Sequence, residues 1–377
     1  MGEFHAAHAV GSDWRILVAE IVENLDRSSA GGNIGLLYAT DYLTRHLGEI
    51  LAELRRKTGV ADWVGTIGFG VGAKPDRGPA SASYDKPALA AMVGRLPPGS
   101  FRVLEPVPGG FGAFRREYGE WLAQAKPLFA IAHGDPRNPL TPSIIADLAG
   151  RTGLFLVGGM TASRTGSFPQ IANEVVEGGL SGAFFGAGVG AATGIAQSSE
   201  PIGPPHRITG AEHNVVKSLD GRPALAVLEE ELTHLPDASP DRIGSDYFVG
   251  FPAAGSAGSL PPVHGIIGID ADRGWLATDR PIEPGGPLVF TRLSRAAAEN
   301  DLKRMLAEVK AHANGKAKGA VYISCSRRGS HLFASAEEEF ALVSAALDEV
   351  PMVGFYASGE ICFNRIYNFT AVLAVFT

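Results

Sequence analysis

The sequence predicts an α/β (α+β) protein with layered, internally repeated mixed β-sheets flanked by helices, folded into two lobes. Short apolar runs with the length of buried strands alternate with segments of helical period. Three of these runs end alike, in a glycine followed by a loop of small residues, which indicates a repeated unit. The chain has 377 residues, and single cores stop growing near ~250–300 residues, so two domains are expected.

Five helices are predicted from the spacing of apolar residues and from residues that start or stop helices. One helix is expected to begin with Thr141 as its N-cap and Pro142 as its first residue. Another is expected to begin with a capping box formed by Ser335 and Glu338. The five cover 42–58 up to Gly59, 141–151 up to Gly153, a segment opening at 221–223, 302–309 continuing to Gly315, and 335 up to Pro351.

Buried strands are predicted where four to seven apolar or small residues lie between glycines or turn residues. These runs are 34–38, 63–69, 128–132, 154–157, 288–291, 320–324, 352–356 and 370–376. The segment 178–199 has no charge and the length of a membrane span. Its seven glycines would each cost a helix ~1 kcal/mol relative to alanine, so two strands, 181–186 and 191–197, are expected instead.

A turn-rich stretch, 201–220, divides the chain. We expect an N-terminal extension at 1–30, a first domain at 31–215 and a second at 216–377. Residues 1–14 lack the cationic and apolar regions of a signal peptide, which predicts a cytoplasmic location. The two cysteines, Cys325 and Cys362, cannot form a disulfide framework.

Charge and motifs exclude several classes of function. The formal net charge is −7 and no segment combines lysine and arginine with aromatic residues, so no nucleic-acid partner is expected. No P-loop or complete dinucleotide fingerprint occurs, and the sequence around Ser256 only approaches a nucleophile elbow. His5 and His8 lie in a terminus expected to be mobile, without a third metal ligand. We therefore expect neither a metal site nor an enzyme.

Candidate ligand-binding groups follow two of the C-terminal strands. Cys325 precedes Arg327 and Arg328, whose charges would favour a reactive thiolate, although a small buried hydrophobe is the favoured interpretation. The two arginines would alternatively bind a carboxylate or pair with surface acids. Glu360 would accept a ligand amine or form a salt bridge with Arg327 or Arg222.

Two histidines would suit a haem iron. His133 ends the run 128–132, and His206 lies in a proline-rich segment. A histidine at the end of a strand can ligate haem or act as a base. More often such a residue caps a turn by hydrogen bonding, so haem remains the alternative.

Several segments resemble the FIST family, in its N-terminal and C-terminal domains. They are 203–209 (GPPHRIT) and 215–225 (VVKSLDGRPAL) at the junction of the two domains, 34–38 and 158–161 in the first, and 320–329, 350–361 and 367–370 in the second. The resemblance covers roughly residues 30 to 377. Because the resemblance covers nearly all of the sequence, no attached kinase or cyclase module is expected, and 1–30 does not look like an F-box.

The resemblance implies a stand-alone sensory protein of signal transduction that binds a small, amino-acid-like or anionic ligand. Some relatives are haem-containing nitric oxide sensors, which supplies the alternative function; a cysteine-dependent enzyme is a third hypothesis. A signalling protein such as a histidine kinase is the expected partner, and no membrane is expected. The expected ligand-binding residues are Gly158, Gly159, Thr161, Arg222, Cys325, Arg327, Arg328, Gly354, Ser358 and Glu360.

Overall fold

The computed structural model describes residues 4–26, 31–76, 78–106, 110–235, 238–252 and 262–377. The chain forms two compact units: unit 1, Met1–Ala196 with Leu302–Thr377, and unit 2, Gln197–Asp301. Unit 2 is thus inserted into unit 1. The predicted boundary at residue 215 falls inside unit 2, so the division in space does not follow the division predicted along the chain.

Unit 1 repeats one chain path three times. In the first repeat the elements are β1 (Phe4–Val10), α1 (Trp14–Asp26), β2 (Ile34–Thr40), α2 (Leu47–Thr58), β3 (Asp62–Gly68), β4 (Gly70–Lys74), β5 (Ser81–Tyr84) and β6 (Ala88–Gly94). In the second they are β7 (Phe101–Leu104), α3 (Phe111–Ala125), β8 (Phe129–Gly134), α4 (Thr141–Thr152), β9 (Phe155–Met160), β10 (Gln170–Ala172), β11 (Glu174–Val176) and β12 (Leu180–Phe185).

The third repeat begins before unit 2 and resumes after it. Its elements are β13 (Ala191–Gln197), α6 (Arg295–Ala313), β22 (Gly319–Cys325), α7 (Gly329–Leu332), α8 (Ala336–Leu347), β23 (Met352–Ala357), β24 (Glu360–Cys362), β25 (Arg365–Tyr367) and β26 (Thr370–Phe376). Helix α6 crosses the division between the units.

Each repeat builds a six-stranded sheet around one parallel pair of strands. The strand orders are β1-β6-β2-β3-β10-β11, β7-β12-β8-β9-β24-β25 and β13-β26-β22-β23-β4-β5. The parallel pairs are β2 with β3, β8 with β9, and β22 with β23. In every repeat the hairpin that follows the pair joins the sheet of another repeat, so the three sheets exchange hairpins in a cycle.

The inner faces of the three sheets share one hydrophobic core. It draws residues from every repeat, among them Leu36, Ile131 and Val321, which occupy equivalent positions on β2, β8 and β22. Separate clusters form where helices cover an outer face. One packs α1 and α2 on the first sheet, and another packs α3 and α4 on the second. The layered, repeated α/β architecture predicted from the sequence is confirmed.

Unit 2 contains a closed antiparallel barrel. Its elements are β14 (Ser199–Pro201), β15 (His206–Glu212), β16 (Val215–Leu219), β17 (Arg222–Pro223), α5 (Ala224–Thr233), β18 (Tyr247–Gly250), β19 (Val263–Asp270), β20 (Trp275–Thr278) and β21 (Pro287–Leu293). Pairing runs β21-β15-β16-β20-β19-β18 and returns from β18 to β21. Leu225, Leu228 and Leu232 of α5 pack into the barrel core.

Most predicted elements are confirmed, and three differences have physical causes. Residues 41–46 form a 3₁₀ turn before α2 rather than its first turn. Thr141 lies inside α4, where its hydroxyl donates to the carbonyl of Asp135, so it is not an N-cap. Residues 4–10 do not belong to a mobile extension, because they form β1, which pairs with β6 along all seven residues. The loop around Ser256 lies outside the described residues.

Helices α1 and α3 were not predicted, because their apolar positions are interrupted by charged and small residues. No helix among the described ranges combines the length and the apolar composition that a membrane crossing would require. The segment 178–199 instead forms β12 and β13, as expected from its glycines.

Candidate functional site

The carboxyl ends of the parallel strands of all three repeats are linked by hydrogen bonds. The Ser358 amide donates to the carbonyl of Met160, and the Phe69 amide donates to the carbonyl of Tyr356. The Ser326 amide donates to the carbonyl of Ala357. We call the residues at this edge, 41, 69, 84–85, 161–164, 325–328 and 358–360, the strand-end cluster. The three small-residue loops predicted to be equivalent all belong to it or border it.

Thr161 is the buried centre of contacts between the repeats. Its hydroxyl lies 2.7 Å from the Thr66 hydroxyl of the first repeat, and its carbonyl accepts a 2.9 Å hydrogen bond from the Ser358 hydroxyl of the third. The Thr161 amide donates to the carbonyl of Gly134. Because Thr161 is fully buried, it orders the loops and does not face a ligand.

Arg164 is a member of this cluster that the sequence analysis missed. Its guanidinium pairs with Asp41, at 2.7 Å, and with Asp85. Its charged carbon lies 4.4 Å from the centre of the Phe69 ring, a cation–π contact. Asp41 directly follows strand β2 and Arg164 follows the loop after β9. Their positions after strand ends were the sequence signal from which this ion pair could have been predicted. The two carboxylates neutralise the charge of this guanidinium. Arg164 therefore holds the loops together through its ion pairs.

Arg328 is enclosed in a hydrogen-bond network and is not exposed to ligands. Its Nε donates to Oε1 of Glu339 at 2.8 Å, and both side chains are fully buried. The hydroxyls of Tyr322, Ser324 and Tyr356 also donate to the Glu339 carboxylate, at 2.8–3.2 Å. Buried charges of this kind need such partners. The network holds α8 against the sheet, so the expectation that Arg328 contacts an anion is not supported by its position.

Glu360 is also fully buried. Its Oε2 accepts hydrogen bonds from the amide and the hydroxyl of Thr370, at 3.2 and 2.7 Å. Burial raises the pKa of Glu360 to about 8, although the Thr370 hydrogen bonds and the charge of Arg328 act to lower it. The predicted salt bridge to Arg327 or Arg222 is not formed, because the carboxyl points into the protein toward Thr370.

Cys325 is buried beside Glu360 rather than activated by the arginines. Burial is the main cause that raises its thiol pKa above the ordinary value, and the nearby Glu360 carboxylate raises it further. A thiol whose pKa is raised is mostly protonated at neutral pH and is a poor nucleophile. The favoured interpretation of Cys325 as a small buried side chain agrees with the structure, whereas burial of the thiol does not favour the low-pKa thiolate of the enzyme hypothesis.

Arg327 and Ser358 are the exposed members of the predicted set in unit 1. They lie on adjacent strand ends, because Cys325 is paired with Ala357 across β22 and β23. The Arg327 guanidinium lies 5.3 Å from the Phe369 ring. Within the described part of the chain, no acidic side chain lies within ion-pairing distance of Arg327. This guanidinium is therefore available to an anion.

The remaining predicted residues have other roles. Gly158 and Gly354 lie within β9 and β23, where a side chain would overlap the carbonyl of the neighbouring strand. Gly159 faces Ile323, Phe355 and Ala357 in the core. Arg222 belongs to unit 2, where it pairs with Glu230 at 2.6 Å.

Neither histidine proposed for haem fits an axial ligand in this structure. His133 is fully buried, its Nε2 lies 3.1 Å from the Tyr38 hydroxyl, and the rings of Tyr38 and Phe355 pack against it. Both ring nitrogens of His206 are held by carboxylates, Asp220 at 2.7 Å and Glu231 at 3.0 Å. Haem would have to enter the packed core to reach His133, and iron would have to displace a carboxylate to bind His206. An absorption spectrum after haem titration tests this alternative directly, because bound haem gives a Soret band.

Sequence models of two domains match the chain. The FIST N domain matches residues 33–222 and the FIST C domain matches residues 224–363. The chain belongs to the FIST family. Domains of this family are sensory domains of signal-transduction proteins. The junction of the two matches falls near the start of α5, inside unit 2, so the two sequence domains and the two compact units divide the chain differently.

One mycobacterial protein is similar to nearly the whole chain, and another is similar to about half of it. "Uncharacterized protein Rv0628c" of Mycobacterium tuberculosis (strain ATCC 25618 / H37Rv) is 26% identical over 381 aligned positions, covering 97% of each chain. "Uncharacterized protein Mb0898c" of Mycobacterium bovis is 29% identical over 191 positions, covering 48% of this FIST protein and 49% of the relative. The first of these matches indicates that nearly the whole chain has a counterpart in a mycobacterium.

Proposed function

We propose that this FIST protein is a ligand-binding sensor whose strand-end cluster recognises a small anionic molecule, with Arg327 as the group that contacts the anion. The observation that carries the proposal is an exposed guanidinium without an acidic partner among the described residues, at the edge where the strands of three repeats end. Ligands of α/β proteins commonly bind outside the carboxyl ends of parallel strands.

The chemistry around Arg327 supports an anionic ligand. A guanidinium offers two parallel N–H donors to a carboxylate. The buried Arg328–Glu339 pair fixes the backbone directly beside Arg327. Amino acids and short-chain carboxylates, which carry a carboxylate on a small body, are the ligand class of this proposal.

The proposal predicts that a ligand found by thermal-shift screening requires Arg327. The probes are the common L-amino acids and short mono- and dicarboxylates. For a probe that stabilises the protein, Arg327→Ala should weaken binding at least tenfold, because a charge-assisted hydrogen bond contributes about 1.5–3 kcal/mol. Isothermal titration calorimetry measures the affinity.

Arg116→Ala provides the matched control, since Arg116 is an exposed arginine of α3 and the same charge is removed. It should leave affinity unchanged. Equal affinity of the Arg327→Ala and Arg116→Ala variants would show that the strand-end cluster is not the binding site.

As a second part of the proposal, ligand binding would change the association of this protein with a signalling protein such as a histidine kinase. Cross-linking or co-purification with and without a bound probe measures such coupling. The association should change with the probe for the unmodified protein and not for Arg327→Ala.

A further inference from the structure

A cleft of about 430 Å³ lies in unit 1 between the first and second sheets. One wall is formed by Asn33 and Asp62, at the amino-terminal ends of β2 and β3, and by Asn173 in the turn between β10 and β11. The other wall is formed by β7 and α3. Because the strand-end cluster lies at the carboxyl ends of β2 and β3, the cleft is a separate site. Its volume is within the ~300–1,000 Å³ that is typical of small-molecule sites.

Strand β7 is shorter than the strands that occupy the same position in the other two sheets. It has four residues, whereas β1 and β13 have seven each. It pairs with β12 on one side and forms the edge of the second sheet. Within the described ranges no strand pairs with its outer edge, so the amide and carbonyl groups on that edge are available for hydrogen bonds.

The polar side chains of the first wall are held in place by hydrogen bonds. The Asn33 side chain donates to the carbonyl of Leu96 and accepts from its amide, both at 2.9 Å. Asn173 accepts from the Trp63 amide and donates to Oδ1 of Asp62, again at 2.9 Å. The other oxygen of the Asp62 carboxylate has no hydrogen-bond partner among the described residues, and the side chain is partly exposed. Asp62 is therefore a fixed acceptor that a ligand can reach.

The second wall offers an exposed carboxylate and an exposed guanidinium. The Glu105 amide donates to the hydroxyl of the buried Tyr118 at 2.9 Å, which fixes the backbone there. The Glu105 carboxylate is exposed and has no partner in the part of the chain that the structure describes. Arg102 lies 3.8 Å from Glu117, and these two side chains are 41% and 60% exposed. Exposed pairs of this kind contribute little to stability, so Arg102 can donate to a ligand at little cost.

The mixture of groups indicates the class of ligand. Three carboxylates and one guanidinium line the cleft, so an anion would meet an excess of negative charge. Across the described ranges no three potential metal ligands converge closely enough to hold an ion. A hydroxyl both donates and accepts, so a neutral molecule with several hydroxyls can use the carboxylates and the guanidinium together. Phe101 and Val103 are partly exposed and add apolar surface.

We propose that this cleft binds a neutral monosaccharide. Hydroxyls of the sugar donate to Asp62 and Glu105, and another accepts from Arg102. The C–H groups of the sugar ring lie against Phe101 and Val103. The site does not depend on the function proposed for the strand-end cluster, where the ligand is an anion.

The test compares sugars that differ in charge at one carbon. D-glucose, D-galactose and D-mannose are neutral, and their uronic acids carry a carboxylate in place of the hydroxymethyl group. Saturation-transfer NMR and calorimetric titration of the full chain should show that at least one neutral sugar binds. It should bind at least about tenfold more tightly than its uronic acid, because the carboxylates of the cleft repel the acid. If no neutral sugar binds, or if the uronic acid binds equally well, the proposal is wrong.

A bulky variant locates the site. Glu117 is exposed and lines the cleft from α3, so Glu117→Trp should fill the space and reduce the affinity for the sugar at least about tenfold. Glu120→Trp removes the same charge from an exposed position of the same helix, outside the lining, and should bind normally. Both variants are first compared with the unmodified protein by thermal unfolding, so that loss of folding is recognised.

Amide variants test the two acceptors without changing the volume of the cleft. Asp62→Asn combined with Glu105→Gln should reduce the affinity at least about tenfold, because hydrogen bonds to charged acceptors are the stronger ones. Glu20→Gln combined with Glu120→Gln removes two exposed carboxylates elsewhere and is the control. Equal sugar affinity of the two double variants would contradict the assignment of Asp62 and Glu105.

Two further results would place the binding elsewhere or change its class. Sugar binding that survives Glu117→Trp but is lost in Arg327→Ala would assign the sugar to the strand-end cluster and overturn this inference. The opposite result would uphold the cleft and leave the strand-end proposal to its own probes. Binding of the diamine putrescine, with no binding of the neutral sugars, would show that the carboxylates hold a cation and would also overturn the inference.

Discussion

In each repeat the hairpin that crosses to another sheet begins with a short strand, β4, β10 or β24. One equivalent position on these three strands carries side chains of different polarity. Val71 pairs with Phe355, Gln170 with Thr66, and Glu360 with Gly159. The valine packs in the shared core. The Gln170 amide lies between the carbonyl of His133 and the hydroxyl of Ser181. Only at Glu360 does this position carry an ionisable group, and that group is fully buried.

Glu360→Gln should remove a pH dependence of stability. The folded-state pKa is raised from the ordinary 4.5 to about 8. A raised pKa means that the stabilisation by the neutral acid is full below about pH 4.5 and is lost as the pH rises through about 8. Between these values the free energy of unfolding of the unmodified protein should fall relative to Glu360→Gln, by up to about 1.4 kcal/mol per pH unit.

Urea unfolding of both proteins at pH 5, 6, 7 and 8 measures this difference. Glu20→Gln, at an exposed acid on α1, is the control and should follow the unmodified protein at every pH. Parallel stability curves for Glu360→Gln and the unmodified protein would show that Glu360 does not titrate in this range in the folded state.

At the scale of elements, the three parallel pairs share one packing requirement. Each contains a Val-Gly step at the same register: Gly65 opposite Leu37, Gly158 opposite Ala132, and Gly354 opposite Tyr322. A Cβ added to any of these glycines would overlap the carbonyl oxygen of the residue opposite. The glycines therefore allow the two parallel strands to approach, and the ligand-binding role expected for Gly158 and Gly354 gives way to a structural one.

Gly158→Ala and Gly354→Ala should each destabilise the protein by at least about 3 kcal/mol, since the backbone itself would have to move. Gly48→Ala is the control, because Gly48 lies in α2 with open space around its Cα. There the substitution should raise stability by up to about 1 kcal/mol. Thermal and denaturant unfolding measure both effects. A Gly158→Ala protein as stable as Gly48→Ala would contradict the close approach of β8 and β9.

At the scale of the molecule, unit 2 is an insertion between β13 and α6. The Ser294 amide donates to the carbonyl of Ser198 at 3.0 Å, and the Gln197 amide donates to Asp301 at 2.7 Å. The chain therefore leaves and re-enters at adjacent points, as is usual for an inserted domain. The barrel also has its own hydrophobic core.

Replacing residues 199–293 by a short Gly-Ser linker should leave unit 1 folded, since all eighteen strands of its three sheets remain. Trp14, Trp63 and Trp121 stay in the shortened protein, whereas Trp275 is removed with the barrel. Tryptophan fluorescence should report one cooperative unfolding transition. A shortened chain that lacks a cooperative transition would show that unit 1 requires the barrel in order to fold.

Sequence patterns located the parallel strands and their helices because the apolar runs, helix stops and glycine ends are local signals. Gly59 and Gly153 end α2 and α4 in left-handed conformations, as expected. The similarity of the three small-residue loops also revealed the repeat. The short strands β4, β10 and β24 were not predicted as partners of other sheets, because nothing local distinguishes a hairpin that stays in its own sheet from one that crosses to another.

For the candidate site, the sequence determined which polar residues follow the strands, and the tertiary structure decided which of them a ligand can reach. Arg327 and Arg328 are adjacent and chemically identical, yet one is exposed and the other is buried on Glu339. Burial depends on which element packs above a side chain, and that is set by contacts between residues far apart in the chain. Local pattern fixes the elements, whereas long-range packing fixes exposure, charge pairing and pKa.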